Sequence, residues 1–253
     1  MATIVTCYYV LENAKHSQTE YNEWIKNLLY NINVNLLLFT CKKDRPYLES
    51  ILNTCSSQLN YKIVEKELMD MDIVKKYPTI WEEQERIDPN KKCGRKSGCY
   101  IIWNSKMALL QEVIKSNPFN TEYFIWNDIG NVRDSRILPY LKTYPLVDNI
   151  SKTKMDIIIL RGFSNPSQLF FQDEVHFSGS MFGGHRDVLL ELSRSYYELF
   201  HTYIENKKFI GCDQQIMASL HLKYPQFINP IIPRNSNVDP WFFLYEYYGK
   251  RVK

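Results

Sequence analysis

The sequence predicts an α/β protein with a mostly parallel, Rossmann-like central sheet flanked by helices. Short β-branched and aromatic runs alternate with longer segments whose apolar residues recur at helical spacing. The 253 residues, 45% of them hydrophobic and 14% aromatic, are enough for one sizeable core. No repeat, linker or low-complexity tract interrupts the alternation. We therefore expect a single domain over residues 1–253.

The elements follow one another as strand and helix. Strands are predicted where the apolar runs are short and rich in β-branched or aromatic residues, at Thr3–Val10, Val34–Cys41, Tyr61–Leu68, 123–127 and Met155–Leu160. Helices are predicted at Tyr21–Tyr30, from Asp44 and Pro46 to near Ser57, and at Ser105–Lys115, Arg186–Ile204 and Asp213–Leu222. Because a helix separates successive strands, the sheet is expected to be parallel.

Charge and apolar patterning exclude several classes of protein. The net charge of +3 is too small and too dispersed for a dedicated nucleic-acid binder, so no nucleic-acid partner is expected. The longest apolar runs, such as Val34 to Phe39, fall far below the ~20 residues of a transmembrane helix. The amino terminus carries no signal-peptide pattern. Six scattered cysteines are most simply free thiols, so a cytoplasmic location is expected.

Asp128 is the first candidate functional residue. It follows the aromatic run Tyr123 to Trp126, which is typical of a buried strand. Open α/β sheets bind their ligands at the carboxyl ends of strands, where this carboxylate would lie. The alternative is that Asp128 only caps a turn or the following helix.

The polar segments around Asp128 occur in a specific order. They are the IWNSK segment Ile102–Lys106, Asn117–Phe119 with Thr121, the group Trp126, Asp128, Gly130 and Arg133, the glycine-rich stretch Ser178–Gly184, and Asp213 with Gln214. In this ordered set the chain resembles the HtrL/YibB-type family of glycosyltransferase-like proteins, over roughly residues 3–230. The resemblance implies a GT-A-like fold and sugar transfer from a nucleotide-diphosphate sugar to a hydroxyl of a glycan or protein.

A donor diphosphate needs positive charge, and the resemblance implies residues that supply or hold it. Asp128, aided by the Asn127 carbonyl, is the expected ligand of Mn²⁺ or Mg²⁺, although the usual pair of carboxylates is absent at this strand end. Lys106 and Arg133 are expected to contact phosphate oxygens. Alternatively, Lys106 lies at a solvated helix start and Arg133 in a surface turn.

The loop Tyr8–His16 after the first strand is the expected place for the base and ribose. Thr6 and Tyr8 are the candidate contacts, and the alternative is that Tyr8 only covers the sheet edge. No GxGxxG follows the strand and CGRKSG is not a P-loop, which disfavours nicotinamide cofactors and ATP.

The segment FSGSMFGGHRD supplies the candidate sugar contact. Gly183 and Gly184 would let the backbone approach a sugar that a Cβ would obstruct. The alternative is a strand-to-helix turn.

Asp213 and Gln214 are expected at the reacting sugar. Asp213 is the candidate general base of an inverting transfer or the charge stabiliser of a retaining one, and Gln214 would hydrogen-bond the sugar. The alternative for Asp213 is a helix N-cap. The aromatic ending WFFLYEYYGKRVK is expected to pack on the core, and an acceptor contact from Trp241 stays open.

Two other functions use the same residue types. A metal-dependent phosphoryl-transfer or hydrolytic enzyme would release phosphate from nucleotides without a sugar acceptor. A catalytically silent carbohydrate-binding protein would bind glycans without turnover. Glycosyl transfer is the function that the ordered motifs favour.

Overall fold

The computed structural model of the protein describes residues 1–11, 16–55 and 59–250. In this part of the chain, seven strands form one sheet in the order β3-β2-β1-β4-β6-β5-β7. Their bounds are Ala2–Tyr8 (β1), Asn35–Thr40 (β2), Asn60–Glu65 (β3), Tyr123–Asn127 (β4), Met155–Ile159 (β5), Phe177–His185 (β6) and Ile228–Ile231 (β7).

The sheet is mostly parallel, as predicted. Strands β3, β2, β1 and β4 are parallel neighbours, and β5 is parallel to β7. Among the described strands, β6 alone runs antiparallel to its neighbours, β4 and β5. The chain leaves β1 on one side towards β2 and β3, and later returns on the other side as β4. The strand order therefore changes direction between β1 and β4, which is the position where open α/β sheets bind ligands.

Helices cover both faces of the sheet. Their bounds are Gln18–Leu29 (α1), Arg45–Leu52 (α2), Asp72–Lys76 (α3), Trp81–Ile87 (α4), Ser97–Ser116 (α5), Leu138–Leu141 (α6), Arg186–Glu205 (α7), Asp213–Lys223 (α8) and Leu244–Gly249 (α9). Apolar side chains of α3, α4, α5, α7 and α8 pack on one face. Those of α1, α2, α6 and α9 pack on the other. Successive side chains of a strand point to opposite faces of the sheet and therefore pack in one core or the other.

The predicted strands and the long helices agree with the structure in type and place. Helix α5 begins at Ser97, eight residues before its predicted start at Ser105. Helix α2 ends at Leu52, and its predicted end near Ser57 lies outside the described residues.

The sequence did not indicate β6 as a strand. Its glycines at 179, 183 and 184 argue against a strand by propensity, yet it lies between β4 and β5. Both neighbours pair with its backbone, so tertiary pairing overrides local preference here.

The carboxyl-terminal segment packs on the core as expected. Phe242, Phe243, Leu244, Tyr245 and Tyr248 are buried. Residues 251–253, the last three of this ending, lie outside the described part. All six cysteines are free thiols. None of the described helices has the length and apolar character needed to cross a bilayer.

Candidate active site

A charged cluster lies at the carboxyl edge of the sheet, where the strand order changes. Asp128 directly follows β4, and its backbone N–H donates to the Ser180 carbonyl of β6 at 2.8 Å. Because β6 runs in the opposite direction, its first residues meet the last residues of β4 at this edge. The antiparallel strand thus brings residues 178–180 next to Asp128.

Lys106 lies at the centre of the cluster. It projects from α5, and only 3% of its side chain is exposed. Its Nζ is 3.2 Å from Asp128 Oδ1 and 3.0 Å from Asp213 Oδ2. It also donates to the Gly179 carbonyl at 2.8 Å. The alternative of a solvated helix start is therefore wrong for Lys106.

The surroundings change the proton affinities of Lys106 and Asp213. Burial by itself lowers the pKa of Lys106, but the carboxylates of Asp128 and Asp213 outweigh that effect and the net shift is upward. Burial raises the pKa of Asp213, and the Lys106 ammonium opposes this only in part. Lys106 therefore stays charged, while Asp213 holds a proton more readily than an ordinary aspartate.

The two carboxylates differ in access to solvent. About a third of the Asp128 side chain, 33%, is exposed, against 5% for Asp213. The Trp126 indole N–H donates to Asp128 Oδ1 at 2.7 Å, which fixes the carboxylate in place. Asp128 is thus the outer acid and Asp213 the inner one.

Asp213 is the first residue of α8, and Cys212 occupies the N-cap position without a side-chain capping bond. The predicted alternative, that Asp213 is the N-cap, is therefore wrong. Gly179 lies directly against the carboxylate: a Cβ on Gly179 would come within 2.8 Å of both oxygens of Asp213. The absence of a side chain at position 179 is what makes room for the inner acid.

Asn104, two residues before Lys106, anchors this part of α5. Its amide donates to the carbonyls of Tyr100 and Ile210 at 2.9 and 2.8 Å, and its Oδ1 accepts from the Tyr196 hydroxyl at 2.8 Å. These bonds hold α5 to α7 and to the loop before α8. The Asn-Ser-Lys order therefore combines a structural anchor with the central cation, a function of Asn104 that the sequence did not indicate.

Arg133 lies apart from the cluster, at its exposed rim. Its Nε donates to the Gly130 carbonyl at 2.9 Å, and its guanidinium lies over the rings of Trp24 and Phe242, at 4.3 and 5.5 Å from their centroids. Its Nη1 is 3.2 Å from His16 Nε2. Arg133 is exposed in the loop after β4, in agreement with the surface-turn alternative, and its guanidinium packs against aromatic rings.

The side chains of Gln214 and Asn127 form hydrogen bonds with other groups of the protein. Gln214 donates to the Phe177 carbonyl at 2.6 Å. Asn127 is buried, and its Oδ1 accepts from the Tyr245 hydroxyl at 2.8 Å, on the opposite face from Lys106. Asn127 Nδ2 donates to the Asp128 backbone carbonyl at 3.4 Å, so the Asn127 side chain contacts the Asp128 backbone while its oxygen faces Tyr245 and not the Asp128 carboxylate.

Thr6 and Tyr8 also lie away from the cluster. Both are buried, and the Tyr8 hydroxyl accepts from Gln18 at 2.7 Å while its ring packs against Tyr47. Cys7, between them, packs in the core that α5 lines, on the same face of the sheet as Lys106. Successive side chains of a strand point to opposite faces of the sheet, so Thr6 and Tyr8 lie on the face opposite to that of Cys7. The predicted nucleotide loop, residues 8–16, lies partly outside the described residues.

Gly183 and Gly184 lie at the other end of β6, beside the start of β4. A Cβ on Gly183 would come within 2.8 Å of Ile125 Cγ1, and one on Gly184 within 3.0 Å of the Lys154 carbonyl. Close approach of neighbouring strands explains these glycines. The structure does not bring them to Asp128, and neither is in a strand-to-helix turn; Gly179 is the glycine of the cluster.

The expected divalent cation fits this site with few protein ligands. The described residues contain no group of three or more His, Cys, Asp or Glu side chains that could hold a metal. Asp128 offers an exposed carboxylate, and Mg²⁺ or Mn²⁺ accepts one carboxylate when phosphates and water complete its coordination. A cation held by Asp128 together with a diphosphate is compatible with this donor set.

Comparison with known structures defines the class of fold. The structure is similar to mouse xyloside xylosyltransferase 1 in its apo form, with a TM-score of 0.51 over 91% of this chain and 85% of that chain. The sequences are only 12% identical, so the likeness concerns the fold alone. The protein therefore has a glycosyltransferase-like α/β fold.

The family follows from the sequence as a whole. Residues 2–248 match HtrL_YibB, described as a bacterial protein of unknown function, and the chain belongs to that family. The resemblance predicted from the ordered motifs is thus confirmed. No curated protein matches the chain.

Proposed function

We propose that the protein is a glycosyltransferase that moves a sugar from a nucleotide-diphosphate donor to a hydroxyl of a glycan or protein. The observation that carries the proposal is the Lys106 cluster with Asp128 and Asp213, at the strand-order switch of a glycosyltransferase-like sheet. Pairs of titratable groups whose surroundings shift their pKa values are typical of catalytic sites.

The donor diphosphate is assigned to the outer side of the cluster. Asp128 is the exposed acid there and would hold Mn²⁺ or Mg²⁺, which when bound neutralises charge on the diphosphate. Arg133 at the rim has a guanidinium suited to bidentate contact with phosphate oxygens. Lys106 is covered by its own partners, so its contribution to phosphate binding is electrostatic.

The chemical step is assigned to Asp213. In an inverting transfer its carboxylate takes the proton of the acceptor hydroxyl, the hydroxyl oxygen bonds to the anomeric carbon, and the nucleoside diphosphate leaves with the electrons of the broken bond. In a retaining transfer the same carboxylate stabilises positive charge on the sugar. Burial raises the pKa of Asp213, which brings a carboxylate closer to the range useful for a base.

Trp241 is the candidate acceptor contact. Its carbonyl accepts from Ser178 and Ser180, which flank Gly179, and the residue as a whole is 38% exposed. An exposed aromatic ring beside the site offers an apolar face to a sugar ring.

A ligand screen followed by turnover tests this proposal. Thermal unfolding is measured with nucleoside diphosphates and nucleotide sugars, with and without Mn²⁺, since a ligand of the folded state raises stability by mass action. Stabilising donors are then assayed for nucleoside diphosphate release with and without hydroxyl acceptors. We expect release that depends on the acceptor and is lost in Asp213→Asn. Phosphate release without acceptor, or glycan binding without turnover, would contradict sugar transfer.

A further inference from the structure

The ammonium of Lys106 lies among four oxygens. Both oxygens of Asp128 lie 3.2 and 3.3 Å from Nζ, Asp213 Oδ2 lies at 3.0 Å, and the Gly179 carbonyl oxygen lies at 2.8 Å. The oxygens come from three separate places in the chain, the loop after β4, the start of α8 and β6, and the ammonium comes from a fourth, α5. Two carboxylates and a carbonyl are the type of oxygen set that binds Ca²⁺, Mg²⁺ or Mn²⁺.

Lys106 changes the net charge of the cluster. One ammonium and two carboxylates leave a single net negative charge when both acids are ionised. Without the ammonium, two negative charges would face one buried space. The thiols of Cys7, Cys99 and Cys212, which sense the charges of the cluster, stay protonated because burial raises their pKa values.

We propose that Lys106 is a resident cation that fills this oxygen-lined site, so that a divalent ion is confined to the outer side of Asp128. One net negative charge on a partly exposed carboxylate is a weak attraction for a strongly hydrated divalent ion. The diphosphate of a donor adds the missing negative charge and ligands. Divalent ion and donor therefore bind together. This last consequence rests on the proposed function, whereas the identity of the cation site does not.

Titration of Mn²⁺ without nucleotide, followed by electron paramagnetic resonance, tests the exchange of cations. Wild type is expected to bind Mn²⁺ weakly. Lys106→Ala is expected to bind it about tenfold more tightly or better, because both carboxylates and the Gly179 carbonyl become available. Lys106→Ala combined with Asp213→Asn should lose that gain. Lys66→Ala is the matched control, because Lys66 is a partly buried lysine that, among the described residues, pairs with one carboxylate, Glu112, and its removal should add no Mn²⁺ binding.

Loss of a buried counter-ion can unfold a protein, so a second measurement covers Lys106→Ala. If this variant does not fold in EDTA, refolding is followed by circular dichroism in Mn²⁺ and in NaCl of equal ionic strength. Recovery in Mn²⁺ alone is expected. Unchanged Mn²⁺ affinity in a folded variant, or no recovery in an unfolded one, overturns the proposal, as does a gain that survives Asp213→Asn.

The two proposals fail separately. A protein that binds no nucleotide sugar but shows the Lys106→Ala gain keeps the cation site and loses sugar transfer. A protein that turns over a nucleotide sugar but shows no gain keeps sugar transfer and loses the resident cation. Tight Mn²⁺ binding by wild type without nucleotide also overturns the resident-cation proposal.

Discussion

Asp156 and Asp213 are both buried aspartates, yet they have different surroundings. Burial raises the pKa of each. Asp156, on β5, accepts hydrogen bonds from the Asn229 amide at 2.7 Å, the Ser151 backbone N–H at 3.0 Å and the Tyr248 hydroxyl at 3.1 Å. These partners are neutral donors, and they connect β5 with β7 and α9.

Asp213 instead faces a cation and a second acid. Lys106 pairs with it at 3.0 Å, and the nearby charge of Asp128 raises its pKa further. A carboxyl satisfied by neutral donors stabilises a fold without excess charge, whereas a buried charged cluster is costly to assemble. The difference supports a structural role for Asp156, and it agrees with the proposal that the Asp213 cluster is a catalytic site.

The largest effect is expected from Asp213→Asn. The variant keeps size and shape but cannot accept a proton, so kcat should fall by about 10² or more, since general-base assistance contributes about 10² to 10⁴. Nucleoside diphosphate affinity should stay near wild type, whereas loss of one counter-ion of the buried Lys106 should lower the melting temperature. Kinetics, calorimetry and thermal unfolding are the measurements, with Asp156→Asn as the matched control for activity per folded molecule. Full turnover by Asp213→Asn would remove this residue from the mechanism.

Asp156→Asn should show the opposite pattern. An amide at this position turns one acceptor into a donor that faces other donors, which should lower the free energy of unfolding by about 1–3 kcal/mol. Activity per folded molecule should not change. Urea unfolding together with kcat measures both. Loss of turnover at wild-type stability would show that the role of Asp156 is not purely structural.

Two glycines of β6 extend the comparison. Gly179→Ala places a Cβ 2.8 Å from both oxygens of Asp213 and should displace that carboxylate, lowering kcat by about tenfold or more. Gly183→Ala places a Cβ 2.8 Å from Ile125 Cγ1 and should lower stability by about 1–3 kcal/mol, with turnover per folded molecule preserved. Equal losses of turnover in the two variants would refute the assignment of Gly179 to the site.

The pH dependence of stability provides a smaller effect. Because the pKa of Asp156 is raised above 3.8, the folded protein binds this proton more tightly than the unfolded chain. The stability that the protonated group supplies is complete below pH 3.8 and is lost as the pH rises through the native pKa. Asn has no such proton. The stability difference between wild type and Asp156→Asn should therefore narrow with rising pH, as checked by urea unfolding across pH; a widening difference would contradict a raised pKa.

Trp241→Ala should have the smallest effect. Loss of the exposed indole should raise KM for the acceptor about threefold to tenfold, because one apolar contact is lost, while Trp241→Phe restores most of it. The KM for the donor should not change. Initial rates at varied acceptor concentration measure this, and an equal rise in both KM values would argue against an acceptor contact.

The fold was predictable from local pattern to a large extent. Strands β2 and β4 are buried on both faces of the sheet, and their continuous apolar runs are the pattern expected of such strands. Strand β6 could not be recognised in this way, because its glycines lower strand propensity and its place depends on β4 and β5. The early start of α5 at Ser97 is another tertiary effect, since Tyr100 and Ile101 pack in the core.

For the candidate site, the sequence by itself determined which charged residues take part and that Asp128 lies at the carboxyl end of a strand. Asp128 directly follows an aromatic strand, and Lys106 and Asp213 belong to ordered motifs; the structure brings these three together. Only the tertiary structure decided which neighbours join them. The reversed direction of β6 sends Gly179 to the cluster and Gly183 to the far end, and the alternation of β1 places Cys7 on the α5 face of the sheet and Thr6 on the other face. Strand direction and facing depend on pairing between distant segments, which no local pattern encodes.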